Sequence, residues 1–186
     1  MKIVSTISAM AVITVILLLI YAAVQQTYRT NANDPQMQMA RDIALHLKEG
    51  ESTGPIFPAD SIDISKSLSV FAVLYDNNLK SLKSSGFLHG NIPQPPAGVF
   101  DFARSHGEDA ITWQPEPGVR MAMVLASVQS PNVSFVAVGR SLKEVEVREG
   151  NLLSMVIISW LICVGIIAIN IIAQTWRNKI RLKNAH

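Results

Sequence analysis

Four histidines, one cysteine and a scatter of carboxylates are the residues of this 186-residue chain best equipped for chemistry. His46, His89, His106 and His186 share no ligand spacing, and Cys163, the only cysteine, lies inside an apolar run far from all of them. A metal site draws on a compact ligand set at fixed spacing. Ordinary surface or partly buried histidines are therefore expected, with no metal and no other cofactor, and no internal disulfide can form. Nucleophilic catalysis finds no Gly-x-Ser-x-Gly and no glycine-rich phosphate loop. Asp101, Glu108 and Asp109 flank a short helical stretch as solvated carboxylates do. The chain reads as a non-enzyme.

The elements that must position any site divide the chain into membrane, domain, membrane and tail. Ile3 to Tyr28 carries no charge, with its apolar centre from Ala9 to Val24. Gly150 to Trp176 is likewise uncharged, and Leu152 to Ala173 supplies 22 mostly apolar residues. At about 1.5 Å per residue that length crosses a hydrocarbon core of roughly 30 Å. A signal peptide competes with an anchor for the first segment, because Lys2 precedes a run ending in Tyr21-Ala22-Ala23. The run is longer than a usual signal core and bulky Ile20 precedes Tyr21-Ala22, which favours an uncleaved anchor.

Charge follows the same division. Residues 25–150 hold 11 Lys/Arg against 14 Asp/Glu, a net −3, whereas Lys2, Arg177, Lys179, Arg181 and Lys183 make the ends +5. The positive-inside rule then places both termini in the cytoplasm and residues 29–150 outside the inner (cell) membrane. The basic balance reports topology, and no nucleic acid is expected as a partner. Four cations from Arg177 to Lys183 could also meet anionic lipid, although fixing topology explains them as well and is preferred. Tyr21, Tyr28 and Trp176 sit where amphipathic aromatics favour the interface. Within the membrane, Ser5-x-x-x-Ala9 permits close approach, and Thr14, Ser154, Ser159 and Asn170 offer hydrogen bonds across helices. Helix pairing, within the chain or in a homodimer, is favoured over transport, because no Asp, Glu, Lys or Arg lies in either segment.

Residues 29–140 form one α+β domain in this reading. Asn33-Asp34-Pro35 starts a helix, with Asn33 as a polar cap, and Met39, Ile43, Ala44 and Leu47 recur at helical spacing before Gly50. This helix is expected to continue outward from the first membrane segment. Strands follow over 68–75 and 79–84, joined by Asp76-Asn77-Asn78, where asparagine tolerates a positive φ. After an irregular stretch comes a short helix over 97–105, then strands over 109–113, 119–127 and 132–139. Short connections require antiparallel neighbours, and the helices must cover one face of the five-stranded sheet. Ser141-Leu-Lys-Glu144 has the form of a capping box: the Ser141 hydroxyl accepts from the Glu144 amide while Glu144 reaches back. The helix it opens, 141–176, continues as the second membrane span and leads into the tail, 177–186.

This arrangement resembles the PAS-like extracytoplasmic sensor domain of two-pass bacterial signalling receptors, especially histidine kinases. Val73-Leu-Tyr-Asp-Asn-Asn-Leu-Lys-Ser-Leu-Lys-Ser-Ser-Gly86 is similar to their strand pair of valine-x-tyrosine-aspartate, turn, lysine, small residues and glycine, with Asn78 where a glycine is usual. The resemblance covers residues 25–176. It implies a ligand lying between the sheet and the covering segment 86–107, near Tyr75, His89, His106, Trp113 and Arg120, with Arg120 able to take a carboxylate bidentately. Against that, Trp113 can be plain core and Arg120 an edge charge that blunts aggregation. About ten residues follow Trp176, with no kinase module among them. The expected protein is therefore a sensor acting through another membrane or cytoplasmic protein, with Ser141 and Glu144 transmitting the signal. The alternative is a structural or assembly subunit that binds a partner and no ligand.

Overall fold

The computed structural model describes residues 2–31, 33–51, 54 and 56–183. It divides into two compact units, Tyr28–Val147 and a helical unit made of residues up to Thr27 with those from Arg148 onward.

The helical unit draws on α1 (Lys2–Asn31) and α4 (Lys143–Lys183), both long and apolar enough to cross a membrane. Large apolar side chains stand exposed along them, among them Ile7, Leu19, Ile162 and Ile169. Apolar surface of this kind is compatible with a lipid surround. A hydrogen bond joins the two helices: Trp160 Nε1 donates to Thr14 Oγ1 at 3.0 Å, and Thr14 Oγ1 donates in turn to Met10 O at 2.9 Å. Asn170 turns its amide to its own helix, donating from Nδ2 to Ile166 O at 3.0 Å, and Ser5 and Ala9 are exposed. Thr14 was legible as a mild polar group, but its indole partner was not.

In the other unit, α2 (Asp34–Lys48) precedes β1 (Ile62–Asp63), β2 (Phe71–Tyr75), β3 (Ser81–Ser84) and β4 (Gly86–Phe87). Next come α3 (Ala97–His106), β5 (Glu108–Glu116), β6 (Val119–Ser127) and β7 (Phe135–Ser141). The main sheet is antiparallel in the order β3-β2-β7-β6-β5, so its own first and last strands in the chain, β2 and β7, are neighbours in its interior. The pair β1–β4 is parallel and forms a second, two-stranded sheet. At two residues each, these strands carry no periodicity, and both fall in stretches that read as irregular.

Both faces of the main sheet are covered, where one was expected. Phe71, Val73, Tyr75, Met121, Met123, Leu125, Phe135 and Ala137 pack with Phe100 and Ala103 of α3. Their neighbours Ala72, Leu74, Val124, Val136 and Val138 pack on the other side with Ala40 and Ile43 of α2. The cause is visible in the strands themselves. Phe-Ala-Val-Leu-Tyr in β2 is buried at every position and does not alternate, as a strand enclosed on both faces requires. Phe71 is the tightest fit. Its ring lies between Gly139 and Gly86: a Cβ on Gly139 would stand 2.5 Å from Phe71 Cζ, and a Cβ on Gly86 would meet the same ring.

Two local details depart from expectation. Asn33 adopts helical φ and ψ and its side chain makes no capping hydrogen bond, while Pro35 occupies the first turn. In the β2–β3 hairpin the positive φ falls on Leu79 (61°) and on neither asparagine. Asp76 Oδ1 accepts from the amides of Asn78 and Lys80, each at 2.8 Å, and so closes the turn itself. Leu79 packs against the core, which offsets the cost of its backbone conformation.

Candidate binding groove

The segment 86–107 does cover the sheet, but side chains fill the space beneath it. Tyr75 is 1% exposed, its ring edge-on to Phe100 at 5.1 Å, and Phe100 is edge-on to Phe135 at 5.3 Å. The Tyr75 hydroxyl donates to Pro93 O at 3.3 Å, and burial raises the phenol above its ordinary value. A raised folded value means stabilisation that is complete below the unfolded value of about 10 and is lost as pH rises toward the folded one. The absorbance difference between wild type and Tyr75→Phe is therefore expected to show no tyrosinate until the domain unfolds in alkali. Ionisation while the fold is intact would contradict the packing.

The other residues singled out for ligand binding are dispersed. His89 lies in an exposed turn with φ 50°, and its Nε2 is 3.1 Å from both carboxylate oxygens of Glu116. Trp113 is half-buried at the margin of the core. Arg120 is exposed and reaches Glu146. His106 alone of the five lines a groove.

That groove, of about 660 Å³, lies at the end of β6 away from Ser141. Arg41, Ala44, Leu45 and Lys48 of α2 form one wall. Their spacing of i, i+3, i+4 and i+7 puts them on one helix face, a signal present in the sequence but hidden there by the core residues interleaved with it. Arg104, His106 and Gly107 close the opposite side, with Glu108 beside them and Ala126 to Gln129 at the base. Gly107, at φ 93°, ends α3 and donates its amide to Ala103 O at 2.8 Å, which allows the chain to turn directly into β5.

Arg41 grips Glu108 at two points, one being Nε to Oε2 at 3.0 Å. The hydrogen bond from Arg41 holds the Glu108 carboxyl below its ordinary value, against an opposing effect of burial, and the charge of Arg41 adds to the lowering. Such a group stabilises the fold above its unfolded value and loses that contribution as pH falls through the folded one. Wild type and Arg41→Gln are accordingly expected to differ in melting temperature near neutral pH and to converge below about pH 4, the carboxylate range. A gap that persists in acid would assign the difference to something other than this pair. His106 stacks on Phe102 with ring centroids 4.0 Å apart, and its Nδ1 lies 3.1 Å from Phe102 O. His106 Nε2 has no partner among the described residues, and Lys48 makes no ion pair or hydrogen bond among them.

At the opposite end of the sheet, β7 runs into α4. Ser141 is the last residue of β7, and its Oγ accepts from the amide of Lys143 at 3.3 Å, one residue before the amide that the capping box pairs. Glu144 accepts from Arg140 at 2.9 Å. Glu146 pairs with Arg120, and the Leu142 amide donates to Arg120 O at 2.9 Å. The first turn of α4 is thus tied to β6 and β7 by side chains as well as by the chain itself. No protein family, no characterised protein and no solved structure matches the chain.

Proposed function

We propose that this chain is a two-pass membrane protein whose extracytoplasmic domain, PAS-like in its succession of elements, binds a ligand and acts through another membrane or cytoplasmic protein. Both termini are cytoplasmic in this reading. One observation carries it: the sheet that forms the base of the groove is bound at its far end, through Arg120 and Arg140, to the first turn of the helix that continues as the second membrane span. A change in sheet packing therefore has a stiff path to the bilayer. The filled space under 86–107 favours a second reading, an assembly subunit that binds a partner and no ligand.

Capture of the full chain from native membranes in mild detergent, with and without a small-molecule extract, tests the choice. The sensory reading expects the co-purifying protein, or its amount, to change with the extract. A stoichiometric complex indifferent to it would establish the assembly role.

A further inference from the structure

We propose that the groove between α2, the end of α3 and β6 is a site for a small organic anion with a carboxylate head and a short apolar body. This rests on the sensory reading for its purpose, although not for its chemistry. Arg41, Lys48 and Arg104 face the groove with Glu108 as the only carboxylate, a local charge of +2 before His106 is counted. The surrounding stretch, residues 25–150, carries a net −3, so this concentration of cations opposes the domain's own charge. A groove of that sign draws anions toward it.

The geometry specifies more than sign. Arg41 already holds one carboxylate in fork-to-fork contact, that of Glu108, which fixes the guanidinium from β5 and leaves the other cations for a ligand. Arg104 pairs with Asp101 at 2.9 Å in an exposed contact that a better acceptor displaces at little cost, while its guanidinium lies over the Phe135 ring, 5.1 Å from the centroid. Lys48 and His106 Nε2 have no partners among the described residues. Between the cations the lining mixes Ala44, Leu45 and Val128 with Ser127 and Gln129, and Leu45 is 53% exposed. Cations beside a partly apolar wall fit a molecule with one charged end and a short apolar body, and the volume lies within the few hundred to about 1,000 Å³ of ordinary small-molecule sites.

The test uses the full chain in lipid nanodiscs with three probes matched in apolar length: hexanoate, hexanol and hexylamine. Hexanoate is expected to raise the melting temperature in a saturable way, and hexanol and hexylamine are not. In Lys48→Gln with Arg104→Gln the hexanoate Kd should weaken about tenfold or more, as loss of charged hydrogen bonds implies. The unliganded melting temperature of that variant is measured alongside, and the comparison among probes in wild type stands whether or not the variant folds. Equal shifts from hexanoate and hexanol, no shift from any probe, or undiminished hexanoate binding in a folded double variant would overturn the assignment. Hexanoate binding that leaves the captured partner unchanged would remove the sensory reading and keep the site.

Discussion

Gly139→Ala is expected to destabilise the sheet-containing domain by about 1–3 kcal/mol, the usual cost of forcing an extra methyl group into a packed core. The added Cβ would lie 2.5 Å from Phe71 Cζ, and Phe71 is 1% exposed, so the ring has no empty space to enter. Gly86→Ala should behave alike, because its Cβ meets the same ring from β4. Neither glycine has a positive φ, so the cost comes from the ring and not from the backbone. Phe71→Leu supplies the control. Alone it should destabilise, but combined with Gly139→Ala it should cost less than the sum of the two, an interaction of about 1 kcal/mol or more in a double-mutant cycle. Strict additivity in denaturant melts would show that Phe71 is not what requires the glycine.

Glu144→Gln with Glu146→Gln should separate stability from transmission. Both ion pairs are exposed or nearly so, and pairs of this kind contribute about 0–1 kcal/mol each. The melting temperature of the domain should therefore hardly move. Amide exchange across 143–150, in contrast, should quicken several-fold, since the first turn of α4 would then lose its ion-paired ties to β6 and β7. Any ligand-dependent change in a captured partner should disappear with it. An unchanged exchange profile and an intact partner response would show that the pairs are surface decoration.

Legibility in the sequence followed length and continuity. The bounds of β6 fall on residues 119–127 as read, because a run that is apolar from Met121 to Ala126, set between Pro-Gly and Ser-Pro punctuation, leaves little choice. Strand β5 runs to Glu116 and not to Trp113, since a backbone irregularity carries the pairing past Pro115. The second covered face was foreshadowed by Phe-Ala-Val-Leu-Tyr, whose lack of alternation speaks for burial on both sides. The groove was not legible in full. His106 was among the candidates, but Arg41 and Lys48 come from a helix some sixty residues away in sequence, and only the sheet brings them together. The pairing of Trp160 with Thr14 escaped for the same reason, because spacing within one helix cannot reveal a contact with another.

The strand order also sets a schedule for biogenesis. β2 and β7 are neighbours at the centre of the sheet, yet Phe71 pairs with Gly139 across most of the domain's sequence. Contacts so distant close slowly, and none of them can form until β7 has left the ribosome. Until then β2 has one edge without its neighbouring strand, and the residues next in line after β7 are those of α4. Completion of the sheet and synthesis of α4 are therefore nearly simultaneous events. A stall just before β7 would leave an aggregation-prone half-sheet with an open edge on β2.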